Sequence, residues 1–204
     1  MKLALLGAGG KLGRRLLEDA LARGHQVRVL VRSPEHLSLQ HERLTVLQGD
    51  ARDPDAVARL VHGSDAVINA IGGAGDIRAV ALANVVQAMH RYGVRRLINL
   101  GGAGLLNLGP FKLYQLPVFP RAMMPVTMEH LKVWHALEES GLDWTLVCPP
   151  FMSEGPGSGG YRVRSGRPFF CAAKQVPLAD VSRFILDEAS TPRFIRQRVG
   201  IRSA

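Results

Sequence analysis

Hydrophobic positions along this chain recur with two periods. Short apolar runs of strand character stand at residues 2–6, 26–31, 44–48, 65–71, 95–100 and 142–148. The segments between them repeat apolar residues every three to four positions, which is the helical spacing. Leu12, Leu16, Leu17, Ala20 and Leu21 form the clearest set and predict a helix over 11–23, stopped at Gly24. Further helices are predicted over 54–62 behind an Asp53 cap, 76–92 with Gly93 as its stop, 127–140 with Thr127 as its cap, and 178–190. Residues 161–165 and 197–201 read as late strands, the first at a sheet edge. Strands alternating with helices of this length predict an α/β fold. The expected form is a doubly wound parallel sheet of Rossmann type in a single domain, with a small substrate-facing portion from about residue 150 to 204.

Candidate chemistry gathers where strands end. The first strand runs into Gly7-Ala8-Gly9-Gly10-Lys11-Leu12-Gly13, and the first helix follows directly. A dinucleotide-binding turn needs this order. Gly7 ends the strand tightly, Gly10 lets the backbone approach a pyrophosphate, and Gly13 lets the helix lie against the strand. The helix N-terminus then offers N–H groups and a positive dipole end to phosphate. Arg32-Ser33-Pro34 follows the second strand, with no acid until Glu35. An acid at that point would meet a ribose 2′-hydroxyl, whereas a guanidinium and a hydroxyl suit a 2′-phosphate. The expectation is NADP(H) over NAD(H). The alternative is that Ser33 only caps a short helix opened by Pro34.

Other strand ends extend the pattern. Asp50 and Ala51 stand where an adenine ring would be flanked, although a loop Asp is also a common turn residue. Ala70, Ile71 and Gly72 open a second glycine loop that includes Ala74, and Gly101-Gly102 opens a third. Pro149-Pro150-Phe151 follows the sixth strand, where a nicotinamide ring would lie. Residues 102–125 have no clear period but are rich in Pro and apolar side chains. A wall over a flat apolar substrate and a satellite core explain that composition equally well.

Composition narrows the function classes. The chain has 204 residues, 47% hydrophobic and 21% charged, as in globular domains. No apolar run approaches the roughly 18 residues of a membrane span. The glycine turn begins at residue 7, too early for a signal peptide, so a cytoplasmic protein is expected. The two cysteines, Cys148 and Cys171, form no disulfide framework, and no Cys/His cluster has metal-ligand spacing. Net charge is +9, but the basic residues are scattered, with no run longer than Arg95-Arg96. An anionic, phosphorylated cofactor is a simpler use of that charge than nucleic acid. A small-molecule partner and a monomer, or a weak homo-oligomer, are expected.

Taken together, the glycine turn, Val29-Leu30-Val31-Arg32-Ser33, Gln48-Gly49-Asp50-Ala51-Arg52-Asp53, the 65–72 run and Ser140–Thr145 leading into Pro149-Pro150 resemble the atypical short-chain dehydrogenase/reductases. Within these the chain is most similar to the biliverdin reductase B/flavin reductase group, with NmrA-like proteins as cousins. The resemblance spans residues 1–190 and implies strand order 3-2-1-4-5-6. The Tyr-x-x-x-Lys dyad of the wider superfamily is missing, since no Tyr lies between Tyr114 and Tyr161. That absence argues against ordinary alcohol/ketone chemistry through that Tyr. Counting back from Gly141, His130 falls where the biliverdin reductase B pattern has a His, which implies a proton donor or a ribose ligand. Lys132 is a second catalytic candidate, although about 200° of helix separates the two. The alternatives are a half-buried structural histidine and a solvated lysine. The expected activity is NADPH-dependent hydride transfer to a flat conjugated acceptor: a flavin, tetrapyrrole or quinone. The other expectation is an NADP(H)-binding sensor of NmrA-like type without turnover.

Overall fold

The computed structural model describes residues 1–73, 75–169 and 175–204. Of the sequence expectations, those on Ala74 and Cys171 lie outside the described residues. Two compact units divide the chain, Met1–Ile98 and Asn99–Ala204.

In the first unit the elements follow the βα order: β1 (Lys2–Leu6), α1 (Lys11–Ala22), β2 (Gln26–Val31), β3 (Leu44–Gln48), α2 (Pro54–Val61), β4 (Ala66–Asn69), α3 (Ile77–Tyr92) and the start of β5 (Arg96–Leu100). The strands hydrogen-bond in the order β3-β2-β1-β4-β5. All registers recorded there are parallel: Leu3 stands opposite both Val27 and Ala66, and Val27 opposite Leu44. β1 and β4 are central and buried from Leu3 and Ala66 onward, as the near-continuous apolar runs require. β3 is the edge strand and correspondingly more exposed. α1 buries Leu12, Leu16, Leu17, Ala20 and Leu21, the stripe read from the sequence. Each such Leu stabilises the unit by about 1.5–3 kcal/mol. Asp53 caps α2 by accepting the Asp55 N–H at 2.9 Å, and α3 stops at Gly93 in the left-handed region. β4 ends at Asn69, two residues earlier than predicted. Its side-chain Oδ1 there accepts the Ile71 N–H at 3.3 Å, an alternative to the ladder.

The second unit begins within β5 and continues through β6 (Asn107–Leu108), β7 (Phe111–Lys112), α4 (Met124–Glu139), β8 (Asp143–Cys148), β9 (Phe151–Ser153), β10 (Tyr161–Ser165), β11 (Gln175–Pro177), α5 (Leu178–Ser190) and β12 (Gln197–Ser203). Its main strands lie in the order β5-β8-β12-β10, with β12 parallel to β8 and antiparallel to the edge strand β10. The architecture is a mostly parallel sheet flanked by helices, of Rossmann type, with strand order 3-2-1-4-5-6 carried through β8. Residues 102–125 are not structureless. They hold the β6–β7 hairpin and single 3-10 turns at Ala103–Leu105, Leu113–Gln115 and Arg121–Met123. Leu105 and Leu106 enter the core, while Leu108, Phe111 and Val118 stay exposed.

Thr127 does not cap α4. The helix starts three residues earlier at Met124, with Pro125 in its first turn, where a missing N–H costs nothing. Thr127 is instead buried against Gly104: a Cβ at Gly104 would stand 2.8 Å from the Thr127 methyl. Ser33 does occupy the N-cap of a 3-10 turn, Pro34–His36, but its hydroxyl makes no cap bond.

Two buried carboxylates tie the second unit together. Asp180 accepts from the Ser158 N–H at 3.1 Å and from the Ser158 and Ser203 hydroxyls at 2.8 Å each. Glu188 accepts the Arg193 and Phe194 N–H groups at 3.0 and 2.8 Å and the Thr145 hydroxyl at 3.2 Å.

The position under the tightest steric constraint is Gly13. A Cβ there would lie 2.5 Å from the Gly7 carbonyl carbon and closer still to its oxygen. Gly13→Ala gains helix propensity of up to about 1 kcal/mol, but the backbone clash outweighs it. A net loss of about 2 kcal/mol or more is expected in urea unfolding. Unchanged stability would show that α1 can stand off β1.

Candidate functional site

The first unit carries a cleft of about 710 Å³, within the usual range for cofactor and ligand sites. Its floor is the end of β1 and the turn into α1. Gly7 takes φ +89°, and a Cβ on it would meet the Ala70 carbonyl oxygen at 2.6 Å. Only glycine fits that approach. The chain then turns so that the Gly10 N–H donates to the Gly7 carbonyl at 3.0 Å. Nothing lies within 4 Å of where a Gly9 Cβ would stand, and only the Gly7 oxygen, at 3.4 Å, lies near the Gly10 position. The turn therefore presents open space above its backbone. α1 begins there with no capping side chain and no acid in its first turn. The contrast with α2, capped by Asp53 and carrying Asp55, is physical: the positive end of α1 is left for a ligand.

One wall of the cleft is the end of β2. Arg32 is exposed, Ser33 is partly so, and both line it. A second wall is the loop after β3. Asp50 accepts the Arg52 N–H at 2.9 Å, and Asn84 reaches across to the Ala51 carbonyl at 2.9 Å. Asp50 is thus both a turn residue and a cleft residue. A third wall is formed by Ala70, Ile71 and Gly72, followed by Gly73 and Ile77. Arg78 donates to the Gly73 carbonyl at 2.6 Å, and Arg52 pairs with Asp76 at 3.1 Å, linking two walls.

The cradle fits a dinucleotide by its bare backbone, its open helix end and its guanidinium at the end of β2. Gly7, Gly9, Gly10, Arg32, Ser33, Asp50, Ala51, Ala70, Ile71 and Gly72, all cofactor candidates from the sequence, line it together. Lys11, Leu12 and Gly13 do not line it. Leu12 and Gly13 are buried on the sheet side of α1, and Lys11 is exposed outside the cleft wall. Helical rotation points the Lys11 and Leu12 side chains away from the cleft, which leaves their backbone as the part that could meet a phosphate. Sequence reasoning missed Arg14, His36, Leu37 and Arg52, which also line the cleft. Arg14 could have been found: it lies one turn beyond Gly10 on the face opposite Leu12 and Leu16.

The remaining candidates belong to the second unit. At the end of β5, Gly101 is packed on Leu146 and Cys148, where a Cβ would lie 3.0 and 3.2 Å away. A Cβ on Gly102 would stand 3.2 Å from the His130 ring. His130 lies in the buried stripe of α4 with Thr127, Val133, Trp134 and Leu137. Lys132 is on the opposite side, exposed and paired with Glu129 at 2.8 Å, so the helix does not bring the two together. The Pro149 carbonyl accepts the Ala103 N–H at 3.1 Å, which fixes the turn after β8. Pro150 follows half-buried, and Phe151 is exposed. Burial pushes the Cys148 thiol up to about 12, so it stays protonated and is no nucleophile. The Arg198 guanidinium lies 3.9 Å above the Trp134 ring, Lys112 is 5.1 Å from the same ring, and Arg198 donates to the Leu105 carbonyl. That stack holds the start of the 102–125 segment against β12.

A family model described as NAD(P)H-binding matches residues 7–192. The chain belongs to this NAD(P)H-binding family. It is 27% identical to YwnB of Bacillus subtilis, an uncharacterized protein, with 97% of this chain and 96% of YwnB covered. Two solved structures are also similar. A candidate exported protein from Burkholderia pseudomallei is 29% identical with a TM-score of 0.88, covering 99% of each chain. SP1627 of Streptococcus pneumoniae, named as a candidate NADH-flavin reductase, is 25% identical with a TM-score of 0.86, covering 100% of each chain. These matches bear out the resemblance to NAD(P)H-binding, flavin reductase-like proteins and give the chain an oxidoreductase-like family. Among the described residues, no helix is long and apolar enough to cross a membrane and no cluster of His, Cys, Asp and Glu has metal-holding geometry.

Because space above Gly10 is open, Gly10→Val is expected to fold. Replacing an N-cap Gly costs about 1 kcal/mol or less. The isopropyl group fills the space a pyrophosphate needs, so the Kd for NADPH and NADH should rise by about tenfold or more, read by nucleotide fluorescence. Full affinity in a folded variant would remove Gly10 from the cradle.

Proposed function

We propose that the protein is a reductase that uses NADPH in preference to NADH to reduce a flat conjugated acceptor of the flavin, quinone or tetrapyrrole class. The observation that carries this reading is one cleft holding both the open glycine turn and the Arg32–Ser33 end of β2, in a chain of the NAD(P)H-binding family. Bound NADPH supplies the hydride. The chain's residues supply position and charge. The Gly7–Gly10 turn and the N-terminus of α1 receive the pyrophosphate, and Arg32 with Ser33 receives the 2′-phosphate. Asp50 and Ala51 flank the adenine. Gly101, Gly102 and the Pro149-Pro150-Phe151 turn, all in the second unit, are the further cofactor-binding candidates read from the sequence.

Reduction of such an acceptor consumes one hydride and one proton. His130, buried beside Gly102 in the second unit, is the candidate proton donor. Lys132 is not assigned a step, because it is held by Glu129 on the outer face of α4. A conjugated ring takes hydride at an electron-poor position without a strong protein acid, which suits a chain lacking the Tyr-x-x-x-Lys dyad. The exposed Leu108, Phe111, Val118 and Phe151 of the second unit supply apolar surface suited to such rings. That SP1627 is named for flavin reduction supports the acceptor class. The missing dyad equally favours a second reading, an NADP(H) sensor without turnover.

Purified protein titrated with NADPH and then supplied with FMN, a quinone and a linear tetrapyrrole should oxidise NADPH with at least one acceptor. Tight binding with no oxidation across the panel would replace the reductase by the sensor. For the cofactor, Arg32→Glu should raise the Kd for NADPH by about a hundredfold and that for NADH by less than about threefold, because it removes a charge-assisted phosphate contact and adds a repulsive carboxylate. Equal effects on both nucleotides would show that Arg32 does not read the 2′-phosphate.

A further inference from the structure

Three arginines line the cleft of the first unit: Arg14, Arg32 and Arg52. Their charges are not equally available. Arg52 is paired with Asp76 at 3.1 Å. Arg15, next to Arg14 but outside the cleft wall, is paired with Asp19 at 2.9 Å through both carboxylate oxygens. Arg14 is exposed and has no acidic partner among the described residues, and the first turn of α1 carries no acid. An exposed arginine one turn into a helix commonly pairs with a carboxylate three or four residues away. Here Glu18 occupies the i+4 position, yet Arg14 lines the cleft with Gly9 and Gly10 and makes no pair with it.

We infer that Arg14 is a second phosphate-binding residue and closes on the pyrophosphate of the bound dinucleotide. This rests on the proposed cofactor reading of the same cleft. Helical side chains tilt toward the N-terminus of their helix, so the guanidinium at position 14 is carried back toward the Gly9–Gly10 turn. The Arg14 N–H is already given to the Gly10 carbonyl at 2.8 Å, so only the side chain acts on a ligand. The uncapped helix end offers about half a positive charge, and the guanidinium adds a full one with a planar fork that matches two phosphate oxygens. Arg32 and Ser33, at the end of β2, take the 2′-phosphate. Two arginines thereby serve two phosphates, and Arg52 serves the wall.

The experiment compares Arg14→Gln with Arg32→Gln by calorimetric titration of NADPH, NADH and 2′-AMP. Arg14→Gln is expected to weaken NADPH and NADH alike, by about tenfold or more, and to leave 2′-AMP unchanged. Arg32→Gln is expected to weaken NADPH and 2′-AMP and to spare NADH. A loss in Arg14→Gln confined to NADPH, or no loss with either dinucleotide, overturns the assignment to the pyrophosphate. Circular dichroism checks that α1 is intact. Should the Gln variant not fold, Arg14→Lys, which keeps the charge and loses the fork, must still weaken both dinucleotides by a common factor; equal affinity to the parent overturns the proposal. Wild-type protein that binds neither dinucleotide overturns the cofactor reading itself, whereas wild-type binding with an indifferent Arg14→Gln overturns only the role of Arg14.

Discussion

The close approach of Gly13 to the Gly7 carbonyl organises the first unit. With no Cβ between them, α1 lies directly on the end of β1, and its first turn faces the cleft uncapped. Gly7 at φ +89° makes the turn possible, and the carbonyl of Ala70 closes in where a side chain would otherwise stand. From that contact the other features follow. Leu12, Leu16, Leu17, Ala20 and Leu21 are rotated onto the sheet. Arg14 is rotated away from it, and the ends of β2 and β4 become the walls of one cleft. The energetic logic is a trade of side-chain volume for electrostatics. Backbone N–H groups and a helix dipole work on an anion only at short range, so the floor of the cleft must be bare.

Charge in the two units is handled in opposite ways. In the first, cations are kept near the cleft, one of them neutralised by Asp76 and two with no acidic partner among the described residues. In the second, the buried carboxylates Asp180 and Glu188 are consumed by structure, collecting hydroxyl and N–H donors from loops. Cys148 is held protonated by burial. Burial, followed by its hydrogen bond to Asp187, raises Tyr161 above its usual pKa, which keeps that phenol neutral too. The second unit therefore brings His130, and not an acid–base pair, to the end of β5. Chemistry that asks for positioning more than for strong acid catalysis matches such an inventory.

The sequence by itself determined the fold class, the order of the main strands and helices, and the glycine turn. These are local matters: a period of apolar residues, a glycine at a turn, and a Gly13 that must touch a neighbouring strand are all written within about 30 residues. It also determined that Arg32 and Ser33 follow β2. Tertiary structure decided what distant segments do to one another. Thr127 reads as a cap because threonine before a helix usually is one, yet it is core packed against Gly104, and the helix starts at Met124. Lys11 and Leu12 belong to the phosphate motif as letters, but helix rotation sends one to solvent and the other to the core. His130 and Lys132 are neighbours in the chain, and one is buried against Gly102 while the other pairs with Glu129. Which arginine is free is likewise a question of partners, because a charge is available to a ligand only where no fixed carboxylate already holds it. Asp76 settled that for Arg52 from 24 residues away, a separation across which no periodic pattern in the sequence carries information.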